Sequence, residues 1–386
     1  MINQTTKILS DLVAYPVLGG QSNLSILSYI QSYLDERYVH YHLVYNEDKS
    51  KASIHCRIGP EVDGGVILSG HMDVVPVEGQ DWQTDPFVLT EGKEGNLYGR
   101  GACDMKGFLA CCLNKVDFFQ KLRLKKPIYF AFSYDEEIGC LGAPFLIEDI
   151  IKTYSEKPKY AIIGEPSLMH PIVGQKGICV IRTTVNGSAG HSSRIKQEVS
   201  AIHESVRLIK WIEEKMDKLL KDNRLDNRFS PPYSSLHVGK INSGIAPNVI
   251  ADHCVFDWDI RVIPMDSMES ILSEFTMYCQ QLMEANRHIY PDFEIRTELL
   301  HPPVPPLDTK YNMDVVKLVT SLIEKQELGT VAYAAEAGQF AERGFESIIC
   351  GPGSIEQAHR PNEFIAVSEL IECNKFLENL GNHLAE

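Results

Sequence analysis

Apolar residues recur at helical spacing over Gln4 to Ala14 and Ser22 to Arg37, with Pro16 and Gly19-Gly20 between them, so the chain is predicted to open with two helices. Short β-rich runs follow at Tyr41 to Tyr45, Ala52 to Ile58, Gly65 to Ser69, Pro127 to Ser133 and Tyr160 to Gly164. Val66-Ile67-Leu68 and Ile128 to Phe132 are apolar on both faces, the pattern of central strands covered by helices. Met105 to Leu122 and Leu141 to Lys152 supply helical patterns between the strands. The alternation predicts an α/β fold, a mostly parallel sheet flanked by helices, with any site just beyond the strands' carboxyl ends.

After Gly177 the rhythm changes. A strand (Ile178 to Val185), a long helix (Val199 to Leu220), two strands (Leu236 to Ile241 and His253 to Val262), a helix (Met268 to Ala285) and a strand (Phe293 to Leu299) follow in turn. That β-α-β-β-α-β order is the ferredoxin-like α+β unit. The alternating pattern resumes from Asp308, so residues 1–177 and 301–386 are expected to form one domain and residues 178–300 a second domain inserted into it. The Pro-rich stretch His301 to Pro306 reads as the return linker.

Composition narrows the function. With 37 Lys+Arg against 52 Asp+Glu the net charge is −15, which argues against nucleic acid and anionic membranes as partners. No run approaches the ~18 apolar residues of a membrane span, and Met1 to Lys7 lacks the apolar core of a leader, so a cytoplasmic protein is expected. Ten cysteines are too dilute for a disulfide scaffold and form no C-x-x-C pair; they read as buried thiols, leaving His and carboxylate as the ligands of any metal.

Directly after the run Gly65 to Ser69 stands Gly70-His71-Met72-Asp73, which alone reads as a structural hydrogen-bonded pair. Further polar clusters stand at strand ends or loops: Gly99 to Gly107 with Asp104, Ser133-Tyr134-Asp135-Glu136-Glu137, Gly164-Glu165-Pro166-Ser167, and Gly351 to His359. Singly, Asp104 reads as a helix cap, and Glu136 with Glu137 as a solvated loop. Gathered on one sheet edge, these acids concentrate negative charge that is unstable without a cation. Two His and several carboxylates suit Zn2+ or a similar divalent ion. Two ions ~3.5–4 Å apart would neutralise the cluster and leave one acid free as a general base.

These motifs, in this order, resemble the co-catalytic zinc aminoacylase/carboxypeptidase (M20) family, which includes acetylornithine deacetylase, succinyl-diaminopimelate desuccinylase and carboxypeptidase G. The resemblance spans the whole chain. It implies a zinc-peptidase-like domain with an inserted lid and dimerisation domain, a homodimer joined through that insert, and two divalent ions as cofactors, Zn2+ with Co2+ or Mn2+ also compatible. His71, Asp104 and Glu165 look like the ligands of one ion, and Asp104, Glu137 and His359 those of the other, with Asp104 bridging. Glu136 looks like the base that deprotonates the attacking water and later protonates the leaving amine. Asp73 would orient His71 through its second ring nitrogen, and a non-proline cis peptide would follow Asp104. In Asn186 to Ser193, by itself an exposed turn, His191 matches the lid histidine that polarises the scissile carbonyl, often from the partner subunit. Asn248 and Arg261 match substrate-binding lid residues, although Arg261 is almost as well explained by a structural salt bridge.

Ala335 to Phe340 and Gly351 to Glu363 look most like the acetylornithine deacetylase branch, which implies a small N-acyl amino acid as substrate and hydrolysis of N2-acetyl-L-ornithine to ornithine and acetate. Glu336 is either the partner of ornithine's side-chain ammonium or the cap of a helix starting near Ala337. A desuccinylase, a broad N-acyl-amino-acid deacylase or dipeptidase, and a non-catalytic binding protein on this scaffold are the alternatives. Turnover is expected to need closure of the insert.

Overall fold

Strands Val66–His71 and Ile128–Ser133 are buried at every position, which is why neither shows polar alternation along its length. They lie at the centre of a sheet ordered Tyr41–Tyr45, Ala52–Ile58, Ile128–Ser133, Val66–His71, Tyr160–Pro166, Glu346–Gly351, Ile172–Gln175 and Leu307–Asp308. Ile128–Ser133, Val66–His71, Tyr160–Pro166 and Glu346–Gly351 run parallel. Ala52–Ile58 and Tyr41–Tyr45 extend the sheet antiparallel. The carboxyl ends of the parallel strands therefore share one edge, and His71, the segment from Tyr134 to Glu137, Glu165 and the segment leading to His359 all leave from it.

The computed structural model describes residues 2–386. Two compact units are present: one comprises residues up to Gly174, Leu307–Thr330 and Ala335–Glu386, the other Gln175–Pro306 and Val331–Ala334. The stretch read as a return linker belongs to the second unit, because Ile178 and Val304 exchange N–H···O bonds of 2.9 Å in each direction and tie it to the first inserted strand.

In the second unit Ser235–Ser243, His253–Val262, Gly177–Asn186 and Glu294–Leu299 form an antiparallel sheet in that order, the ferredoxin-like arrangement. Cys179, Ile181, Thr183 and Val185 face the helices together with Cys254, Phe256, Trp258 and Ile260, while the residues alternating with them look outward. Helices Ala201–Lys221 and Met268–Asn286 cover that apolar face. Each starts at a serine, Ser200 or Ser267, whose hydroxyl accepts the N–H of the third helical residue.

In the first unit, the helix expected over Met105 to Leu122 is two helices, Gly107–Asn114 and Val116–Lys121, preceded by an irregular turn over Ala102–Lys106. Gly107–Asn114 is buried from Gly107 to Leu113 and packs against the parallel strands. Gly164 permits this approach: a Cβ there would stand 2.1 Å from the Phe108 ring. Among the described residues all ten cysteines are free and buried, and no helix is long and apolar enough to cross a membrane.

Gly164→Ala is expected to cost about 1–3 kcal/mol, because the ring must leave its rotamer or the strand beside Glu165 must shift. Gly239→Ala, where a Cβ meets nothing closer than 3.8 Å, should stay within about 0.5 kcal/mol. Calorimetric unfolding of the two variants checks this, and equal melting temperatures would contradict it.

Candidate metal centre

At the carboxyl edge of the parallel strands, two groups of side chains each bring three potential ligand atoms within 4.8 Å of one another: His71, Asp104 and Glu165, and Asp104, Glu137 and His359. Asp104 belongs to both. Its Oδ1 lies 3.1 Å from His71 Nε2, and its Oδ2 lies 3.4 Å from His359 Nε2. His359 Nε2 is also 2.9 Å from Glu137 Oε2, and His71 Nε2 is 3.8 Å from Glu165 Oε1. One carboxylate with an oxygen turned to each group is what a bridging ligand between two cations requires.

The residues fit divalent ions on a further ground. Glu165 Oε1 is buried without any hydrogen-bond partner, an arrangement that costs free energy unless a cation takes up the lone pairs. Burial, then the charges of Asp104 and Glu136, hold the Glu165 carboxyl well above its usual range. Glu137 is pushed up to about 7 by burial and then by Asp104, and Glu136 rises for want of solvation and because Glu137 is beside it. Burial pulls His71 down, but Asp104, Glu136 and Glu165 outweigh it and the imidazole ends well above its ordinary value. Bonds to Asp104 and Glu137 raise His359 to about 10. Burial alone would raise Asp104, yet the two imidazoles hold it low.

Glu136 stands outside both groups. Its Oε2 is 3.9 Å from His71 Nε2, and its Oε1 accepts the thiol of Cys140 at 3.3 Å. The adjacent Glu136 and Glu137 thus face different partners. The backbone delivering them is held from two sides: Asp135 accepts the Gly20 N–H at 2.8 Å and pairs with Lys51, while Asp73 accepts the N–H groups of Glu136 at 3.1 Å and Glu137 at 3.2 Å. That engagement changes the reading of Asp73. His71 Nδ1 is satisfied at 2.9 Å by the main-chain carbonyl of Asp73, while the Asp73 carboxylate stays 3.7 Å from that nitrogen. The carboxylate organises the Glu136-Glu137 segment, and the backbone orients the imidazole. The peptide between Asp104 and Met105 is cis.

Glu336 stands at the N-cap position of the helix Ala337–Glu342, as one of its two readings had it. Its side chain makes no capping bond to the helix Ala337–Glu342. It is also buried, taking the hydroxyl of Ser133 on one oxygen and that of Ser69, at 3.2 Å, on the other. Both carboxylate oxygens are thus engaged by hydroxyl groups at the ends of two strands.

The remaining expected residues lie on the second unit. His191 and Asn248 sit on exposed neighbouring segments, joined by the Ser192 N–H to the Asn248 carbonyl at 3.0 Å. His191 Nδ1 accepts the Ser193 N–H at 3.3 Å and lies 2.8 Å from the Ser193 hydroxyl oxygen, so both contacts engage the same ring nitrogen. Arg261 pairs with Asp259 at 3.2 Å and stays partly exposed. Sequence reasoning left Arg100, Glu363 and Gln80 unassigned. The structure buries Arg100 and Glu363 as an ion pair of 2.8 Å beside Asp104. Polarity alone does not distinguish such a pair from surface charge, and only the position of both within motif segments marked them.

The model of Peptidase family M20/M25/M40 matches residues 67–383. The chain belongs to this family. It is 30% identical over 393 residues to an acetylornithine deacetylase of Photorhabdus laumondii subsp. laumondii, covering 98% of this chain and 96% of that one. It is 31% identical over 383 residues to the Myxococcus xanthus protein of the same name, covering 97% and 96%. Among solved structures, the M20 metallo-carboxypeptidase Sso-CP2 of Sulfolobus solfataricus superposes with a TM-score of 0.78 at 16% identity, covering 99% of both chains. A dinuclear metal-binding M20 peptidase of Bacillus subtilis superposes at 0.66 with 14% identity, covering 98% and 97%. Family membership makes the chain a metal-dependent amidohydrolase.

The proton inventory sets a pH dependence. Glu137 rises from 4.5 to about 7 and His359 from 6.5 to about 10, while burial lowers Lys106 from 10.5 to about 7 and offsets His359 at the alkaline end, so between about pH 5 and 7 the native state binds more protons than the unfolded chain. Stability then falls as pH rises. The metal-free protein should melt at progressively lower temperature from about pH 5 to about pH 7, and a flat or rising profile by scanning calorimetry would contradict the cluster. For Asp73→Asn, an amide offers one acceptor to two N–H groups, so kcat should drop about 10-fold or more while KM changes little. Steady-state kinetics of the metal-loaded variant checks this.

Proposed function

We propose that the protein hydrolyses N2-acetyl-L-ornithine to L-ornithine and acetate, a step of arginine biosynthesis. The observation that carries the chemistry is Asp104 turning one oxygen to each ligand group while Glu136 remains outside both. The choice of substrate is supported by relatives named acetylornithine deacetylase, matched over almost their whole length.

His71, Asp104 and Glu165 would hold one divalent ion, and Asp104, Glu137 and His359 the other, Zn2+ being favoured and Co2+ compatible. Bound there, the ions supply Lewis acidity, which acidifies a water and polarises the acyl oxygen. Glu136 takes a proton from the attacking water. The water oxygen bonds to the acetyl carbon, the C–N bond breaks, and the proton held on Glu136 passes to the departing nitrogen of ornithine. His191, through Nε2, is assigned to the developing oxyanion, and Asn248 and Arg261 to substrate contacts, Arg261 facing the carboxylate. A cytoplasmic homodimer joined through the inserted unit completes the reading.

The test is a panel of acetylornithine, succinyl-diaminopimelate and acetylmethionine with the Zn2+- or Co2+-loaded protein. Acetylornithine should give the highest kcat/KM, and preference for the succinyl substrate would replace the reading with a desuccinylase. Glu136→Ala should lower kcat by about 10²-fold or more and leave metal content unchanged. Undiminished hydrolysis by that variant would remove Glu136 from its role.

A further inference from the structure

We infer that Glu363, Arg100 and Gln80 form a positioning relay that sets the bridging aspartate Asp104 and the distant ligand His359 against each other. The inference rests on the ligand assignment above and adds residues to it.

Glu363 is enclosed at 1% exposure, and its carboxylate is saturated by donors from one loop. Oε1 accepts the N–H groups of Cys103 at 2.8 Å and Asp104 at 3.0 Å, while Oε2 accepts the Gly101 N–H at 3.0 Å and Arg100 Nη1 at 2.8 Å. The loop wraps round the carboxylate because Gly101 takes a left-handed φ of +78°. Arg100, also 1% exposed, sends its other terminal nitrogen to Gln80 Oε1 at 2.6 Å. Gln80 Oε1 also accepts the Trp82 indole N–H at 3.0 Å, and the Trp82 ring centroid lies 5.1 Å from the guanidinium carbon. The amide of Gln80 is thereby oriented, and its Nε2 donates to the main-chain carbonyl of His359 at 2.9 Å.

A buried ion pair is a poor device for stability, since an apolar pair of similar volume serves as well or better. What this pair does is geometric. Asp104 must aim two oxygens at two groups, and ligand bonds of ~2.0–2.2 Å leave little slack. His359 is exposed and adopts a φ of +63°, so its own loop encloses it on few sides. Tying its carbonyl, through Gln80 and Arg100, to the carboxylate that holds the Asp104 backbone fixes one ligand relative to the other.

The relay has an asymmetric consequence. Glu363 acts on Asp104, which both groups share; Gln80 acts on His359, which only the second group uses. Co2+ titration of the full-length chain, followed by calorimetry and by the visible absorption of the bound ion, reads each group separately. The His71→Ala background isolates the second group, and His359→Ala isolates the first. Gln80→Ala should weaken Co2+ binding about 10-fold or more in the His71→Ala protein and leave it within about 2-fold in the His359→Ala protein. Glu363→Gln should weaken both. Equal affinity with and without Gln80→Ala in the His71→Ala protein would overturn the relay, as would equal weakening in both backgrounds. Should Glu363→Gln fail to fold, the partly exposed Gln80 carries the test alone. A wild-type chain that binds no Co2+, or single variants that each retain two ions, would instead refute the ligand assignment.

Discussion

Mutual repulsion among carboxylates is the constraint around which the first unit is arranged. Asp104, Glu136, Glu137 and Glu165 meet at one sheet edge with His71 and His359 as the cationic partners in the two groups. Such a gathering is held by the fold and stabilised by bound cations, or by protons when cations are absent. Much of the surrounding structure serves that enforced proximity: parallel strands whose carboxyl ends coincide, a glycine that lets a helix press against them, and buried acids that grip the backbone under the ligands.

Those supporting acids share a style. Asp73, Asp135 and Glu363 each accept main-chain N–H groups of a segment bearing a ligand or base, or of a loop next to one. A carboxylate with several amide donors converts a flexible loop into a fixed one, since release would leave donors and a charge unsatisfied in a buried place. Precision at the cluster is achieved through peptide groups, with side chains acting as anchors beneath them.

Long regular elements were legible in the sequence, His253–Val262 to the residue, because strict alternation flanked by turns admits one register. The start of the helix after Asp104 was not, since apolar periodicity runs through Ala102–Lys106 although the backbone there turns to present a carboxylate. The residue types of the cluster stood out at strand exits. Their partnering did not: whether His71 is oriented by the Asp73 side chain or its carbonyl depends on a fraction of an ångström. Glu336 shows the same limit, because a carboxylate near a site carries no sequence mark of enclosure by two serine hydroxyls.

The order of the parallel strands also bears on synthesis. Glu346–Gly351 occupies an inner place beside Tyr160–Pro166, yet the whole inserted unit is translated between them. The insert is nearly continuous in sequence and has its own apolar core, whereas the sheet of its host is completed by a strand close to the C-terminus. Since His359 lies later still, the second ligand group cannot be complete until nearly the whole chain has been made, which places assembly of the paired ion sites among the last events in the life of the nascent polypeptide.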